Sequence, residues 1–237
     1  MKEKFSEKGR NPYDGLRPYS ALTHAVGILF ALAALAILLH MTISMGSGAV
    51  TITAVSVYAV SMLCLYTAST VYHSLNTGVQ GRLFLRKLDH VMIYFLIAGT
   101  YTPICTISLG GMLSGRVMLA VIWTMALLGT GFTLFWIKMP RALTSIIYLV
   151  MGWTAIFAIY PLHAVMNSVS FAMLLAGGIL YSIGGVLYAL KWPGRNNKYF
   201  GCHEIFHVFI VLGSVCHFVM ITFLELERYK RSCCGVS

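Results

Sequence analysis

The chain has 237 residues, of which 58% are hydrophobic and only 10% charged, with a mean hydropathy of +0.80. A soluble domain carries roughly 25% charged residues, so the composition excludes a soluble globular protein and indicates an all-α, polytopic membrane protein. The net charge of +10 would suggest a nucleic-acid partner in a soluble protein. Here the bias of basic residues toward cytoplasmic flanks accounts for it, and no nucleic acid is expected.

In chain order, residues 1–19 read as a short polar arm without a secretory signal pattern. Seven apolar segments follow, each near the twenty or so residues that cross a hydrocarbon core. They run about Ser20–Ile43, Ala49–Leu75, Leu88–Leu109, Val117–Ile137, Ala142–Leu162, Phe171–Leu190 and His203–Leu224. The connections are short and made of turn formers or charges, such as Met45-Gly46-Ser47-Gly48 and Trp192-Pro193-Gly194. No inter-domain linker is visible, so residues 20–226 are expected to form one seven-helix domain, with 227–237 as a short outer tail. Pro103 predicts a kink in the third segment. Gly177-Gly178 and Gly184-Gly185 predict close helix packing in the sixth. The six cysteines show no paired spacing beyond Cys233-Cys234, and most are expected to act as small buried hydrophobes.

Charge orients the bundle. With flanks assigned alternately to the two sides, one side collects thirteen basic residues, among them Arg17, Arg82, Arg86, Lys87, Lys138, Arg141, Lys191, Arg195 and Lys198. The other collects four: Arg116, Arg228, Lys230 and Arg231. That asymmetry places the N-terminus in the cytoplasm and the C-terminus outside, in a multi-pass protein of the cell membrane. Tyr19, Tyr72, Trp136, Tyr148, Trp192 and Tyr199, near segment ends, suit an interfacial belt.

Ionisable groups inside a membrane are expensive and are functional candidates by default. Ser69 and His73 sit four apart at the end of the second segment, Asp89 opens the third, and His203 and His207 sit four apart at the start of the seventh. Residues four apart share a helix face. The alternation of spans brings all five to one depth on the cytoplasmic side. Three histidines with one open position are the catalytic zinc pattern. The expected centre is therefore Zn2+ held by His73, His203 and His207, with Asp89 and Ser69 orienting or deprotonating the activated water.

His217, ten residues beyond His207, lies about 15 Å further along the helix axis, too far for the same ion. It is expected to line a cavity or bond a neighbouring helix. His24, His40, His90 and His163 are expected at interfaces or in packing. His203-Glu204-x-x-His207 also spells the metalloprotease pattern, with Glu204 as general base. Against a protease, the chain ends some thirty residues after His207, whereas His73 and Asp89 supply the missing groups upstream.

At Tyr19-Ser20-Ala21-Leu22-Thr23-His24, Ser69-x-x-x-His73, Leu88-Asp89-His90, Gly99-Thr100-Tyr101-Thr102-Pro103 and His203-x-x-x-His207, the chain resembles the hemolysin III family, the bacterial branch of the progestin and adipoQ receptor (PAQR) superfamily. The resemblance implies seven helices with the N-terminus inside, and zinc on His73, His203 and His207 with Asp89 and Ser69 assisting. It also implies kinship with intramembrane hydrolases of lipid amides such as ceramide. Glu204 stands where adiponectin receptors carry Gln. The expected function is a zinc-dependent intramembrane hydrolase of lipid amides or esters, with membrane lipid as substrate or ligand. The alternatives are a receptor-like or membrane-homeostasis protein with a structural or regulatory zinc site, and a cytolysin.

Overall fold

Backbone groups have no water to bond in a bilayer, so apolar spans must satisfy them internally, as helices do. The structure, a computed structural model, describes residues 16–135, 141–194, 197 and 200–234. The arm up to residue 15, Trp136 and Lys138, Arg195, Lys198, Tyr199 and the last three residues lie outside the described residues. Part of the charge asymmetry and of the interfacial belt rests on them.

The helices are α1 (Pro18–Ser44), α2 (Ala49–Ser74), α3 (Val79–Pro103), α4 (Leu113–Phe135), α5 (Arg141–Gly152), α6 (Ile159–Val165), α7 (Ser168–Leu190) and α8 (Cys202–Cys234). Helices α5 and α6, joined by a 3-10 turn over Trp153–Ala158, make one span, so the described residues contain seven helical spans long and apolar enough to cross a membrane. No strand occurs among the described residues. Helix α1 packs on α2 and α8, α2 on α3, α3 on α4, and α7 on α8, while α5 leans on α7, α3 and α4. Fully buried Tyr58, Tyr66, Tyr94, Leu38, Met62 and Ile122 fill the centre, and Leu29, Phe135 and Phe157 face outward.

Three elements differ from the expected segments. Helix α3 starts at Val79, nine residues before Leu88, because Arg82, Arg86 and Lys87 extend it as a charged stretch of about two and a half turns. Arg82 folds back and donates to the carbonyls of Tyr72 (2.6 Å) and Leu75 (3.0 Å), capping the end of α2. Helix α8 runs ten residues past Leu224, through the region expected as an outer tail. Its Glu225 is fully buried and paired with Arg228 at 2.7 Å and with Ser47. The pairing lets charged residues continue the helix.

The third and fifth spans are both irregular, and the two irregularities meet. Pro103 has no N–H to donate, and the backbone continues from it as a π-helical turn over Ile104–Ser108. One turn earlier, the Tyr101 hydroxyl donates to the Gly152 carbonyl (2.6 Å) and accepts from the Ala155 N–H (2.8 Å). A side chain inserted in the hydrogen-bond ladder interrupts an α-helix. Pro161, which also lacks an N–H, prevents the ladder from re-forming immediately.

The paired glycines of α7 divide their work. A Cβ at Gly177 would lie 2.4 Å from His217 Nε2, and one at Gly184 2.7 Å from Phe209 Cβ, so these two admit α8. Gly178 and Gly185 instead border an internal cavity. Of the five cysteines whose side chains are described, all free thiols, only Cys105 is buried; Cys64 faces outward, a correction to the expectation of mostly buried cysteines.

Candidate metal centre

Helix α2 delivers Ser69 and His73 on one face of its last two turns, both buried. Helix α8 delivers His203 and His207 from its first two turns. The His203 and His73 Nε2 atoms are 3.1 Å apart, and one ligating nitrogen from each of His73, His203 and His207 falls within 4.8 Å of the others. At zinc–nitrogen distances of 2.0–2.1 Å, the nitrogens of a tetrahedral site are about 3.3 Å apart. The set fits such an ion with small ring movements. No other His, Cys, Asp or Glu among the described residues joins it.

The surroundings fix His207. Its Nδ1 lies 3.2 Å from the Ser20 carbonyl and 3.3 Å from Thr23 Oγ1, whose own hydroxyl donates to Ser20 at 2.8 Å. Nδ1–H therefore donates to oxygen, and Nε2 keeps its lone pair, the tautomer a metal ligand needs. His24 stacks flat on the His207 ring, with centroids 3.7 Å apart and planes at 6°. His24 is buried and both its nitrogens lack a hydrogen-bond partner. Packing was the role expected for it; the structure puts that packing against a candidate ligand. A sequence signal existed: Ser20-x-x-x-His24 repeats the spacing of Ser69-x-x-x-His73 at the same end of the bundle.

Glu204 is engaged elsewhere. Its carboxylate accepts from Ser20 Oγ (2.6 Å), from the Gly201 N–H (2.9 Å) and from Arg17 (3.2 Å). A glutamate at the third helical position reaching back to the N-cap N–H is half of a capping box. Arg17 also donates its backbone N–H to the His73 carbonyl at 3.1 Å. The start of α1 is thus stapled to both histidine-bearing helices. A carboxylate consumed this way is not positioned as a protease base, which removes the main support for that reading.

Asp89 and Ser69 border the same cavity as His203 and His207. Asp89 is buried, with Oδ2 3.9 Å from His90 Nδ1, and the fully buried Ser69 hydroxyl has no partner. His90 donates to the Arg86 carbonyl at 2.7 Å. His40 and His163 are exposed.

The cavity, about 160 Å³, runs inward from the histidines between α2, α3, α5, α7 and α8 and ends near Ile104, Ile159, Leu174 and His217. The broken fifth span forms one wall, through residues such as Tyr148, Gly152 and Ile156. Its lining is predominantly aliphatic and aromatic. The arrangement is a set of ligating nitrogens with two polar side chains at the mouth of an apolar tube.

Comparison with known proteins agrees with this architecture. The family described as "Haemolysin-III related" matches residues 18–218. "Hemolysin-3 homolog" of Bacillus subtilis (strain 168) is 39% identical over 204 residues, covering 86% of this chain and 92% of that protein. "Hemolysin-3" of Bacillus cereus is 39% identical over 207 residues, covering 87% and 90%. "Monocyte to macrophage differentiation factor" of Homo sapiens is 26% identical over 172 residues, covering 70% and 67%. A match along nearly every span, with the histidine-bearing helices inside it, means that this chain belongs to the haemolysin-III-related family of the PAQR superfamily.

Proposed function

We propose that this protein is a zinc-dependent intramembrane hydrolase of lipid amides or esters in the cell membrane. The observation that carries the reading is a three-histidine cluster, two of whose members, His203 and His207, line one end of an apolar cavity. His73, His203 and His207 would hold the ion, which when bound supplies Lewis acidity toward a carbonyl and an acidified water. The aliphatic walls hold the acyl chain, exclude bulk water and bring the scissile carbonyl to the histidine end. Asp89 takes the proton from the attacking water and returns it to the leaving nitrogen or oxygen. Water adds to the carbonyl, the C–N or C–O bond breaks, and a fatty acid and an amine or alcohol leave. Ser69, with its hydroxyl free, donates to the carbonyl oxygen as charge develops there. With the N-terminus in the cytoplasm, as the basic-residue asymmetry indicates, the reaction occurs at the inner leaflet.

The staple of Arg17, Ser20 and Glu204 across α1 and α8 favours a second reading, in which the metal locks the bundle and is structural. Asp89→Asn separates the two. The hydrolase reading expects full zinc content with hydrolysis of a long-chain N-acyl amide lost by about 100-fold or more. Unchanged hydrolysis in Asp89→Asn would defeat the assigned role of Asp89.

A further inference from the structure

The end of the bundle opposite the histidines carries a second cavity, of about 310 Å³. It lies between the π-helical turn after α3, the connection of α6 to α7 and the last turns of α8. Ile107, Val165 and Leu224 give it an apolar side, and Glu227, Arg228 and Arg231 line it with charge. Arg228 and Arg231 are three residues apart on α8 and so share a helix face. Each guanidinium is anchored along one edge only. Arg228 spends Nε and Nη2 on the buried Glu225 carboxylate (2.7–3.0 Å) and on the Ser47 hydroxyl. Arg231 donates through Nη2 to the Val165 carbonyl at 3.2 Å. Among the described residues, no protein acceptor takes Nη1 of either side chain. Both groups can be reached from outside, since the Arg228 side chain is 28% exposed and Arg231 is exposed. The neighbouring carboxylates are already engaged: Glu225 is buried behind Arg228, and Glu227 pairs with Lys230 at 3.6 Å. Three cations against two carboxylates leave the cluster positive.

We infer that this cavity binds a phosphate group at the membrane surface. The planar fork of N–H donors on arginine matches the oxygens of a phosphate better than an ammonium does. Arg228 lies 21 residues beyond His207 on one continuous helix, about 32 Å along its axis. That is close to the thickness of a hydrocarbon core. His207 is five residues from the start of α8, near one interface, so the arginines stand at the other, level with the headgroups. A phosphate there comes from a lipid head or from solution. The apolar side of the cavity favours the lipid, whose first carbons would cover Ile107, Val165 and Leu224. The inference stands apart from the hydrolase reading, since it uses neither the histidines nor the cavity beside them.

The test is binding to the full chain in uncharged maltoside micelles, measured by isothermal titration with dioctanoyl phosphatidate, dioctanoylglycerol and inorganic phosphate. Dioctanoylglycerol differs from the phosphatidate only by the missing phosphate. Wild type should bind the phosphatidate about tenfold or more tighter, the worth of hydrogen bonds to a charged group. Arg231→Gln, a change at an exposed side chain, should lose most of that gain. Arg231→Lys keeps the charge without the fork and should lose part of it. Arg228→Gln alone would strand the buried Glu225, so the double variant Glu225→Gln/Arg228→Gln is the second probe, and it should lose the gain as well. An Arg231-dependent gain confined to the phosphatidate assigns the site to a lipid head. Inorganic phosphate that binds as tightly, with the same dependence on Arg231, assigns it to phosphate from solution. If phosphate in neither form gives a gain, or if the gain survives in Arg231→Gln or in the double variant, the inference is overturned. The hydrolase reading is unaffected by either result.

Discussion

Replacing Glu204 separates the two roles that its position allows. In Glu204→Ala, the Ser20 hydroxyl and the Gly201 N–H lose their acceptor at a site where Glu204 itself is 1% exposed. Each orphaned buried donor costs about 1–3 kcal/mol. The Arg17 side chain is 33% exposed, and its ion pair adds at most about 1 kcal/mol. The two donors dominate, for an expected loss of about 3 kcal/mol. Glu204→Gln keeps one acceptor oxygen and should lose about half as much. Denaturing-detergent unfolding in mixed micelles measures both variants, with zinc content and lipid hydrolysis followed in the same preparations. Glu204→Gln should keep its metal and any hydrolysis. A Glu204→Gln protein with wild-type stability and zinc but no hydrolysis would refute this account and restore Glu204 as a general base.

Substitutions at two further positions probe the framework around the site. Tyr101→Phe removes the hydroxyl that serves both Gly152 and Ala155, and should destabilise the protein by about 2–4 kcal/mol; hydrogen exchange should rise across Trp153–Ala158 while α7 is unaffected. His24→Phe keeps a ring stacked on His207 and should retain zinc, whereas His24→Ala should weaken zinc affinity about tenfold by releasing the His207 ring. Equal zinc affinity in the two variants, measured by chelator competition, would show that the stack positions nothing.

The number of spans was legible because apolar length alone decides it, and seven lengths alternating with charged or turn-forming connections left little freedom. The ends of the spans were less so. Arg82, Arg86 and Lys87 mark a polar flank but not whether it is helical, and their helicity depends on Arg82 reaching the end of α2. Glu225 beyond Leu224 looked like the margin of a tail, yet its pairing with Arg228 and Ser47 buries it. The break in the fifth span comes from a hydroxyl on α3, with Pro161 as its only local sign. The three histidines could be grouped from spacing and depth, since i,i+4 pairs share a face and span alternation sets the level. The stack of His24 on His207 and the capture of Glu204 by Arg17 and Ser20 depend on which helices neighbour one another, and spacing carries no record of that. His217 could be placed by arithmetic along its helix, but its packing against Gly177 could not.

The most direct test of the central claim is the metal content of the purified full-length protein by elemental analysis, beside His207→Ala. The account predicts about one zinc per chain in the wild type and almost none in the variant, since two histidines remain where a catalytic site needs three protein ligands. A folded wild-type protein that holds no zinc after purification without chelators and after equilibration with micromolar zinc, or a His207→Ala protein that holds it equally well, would contradict the account.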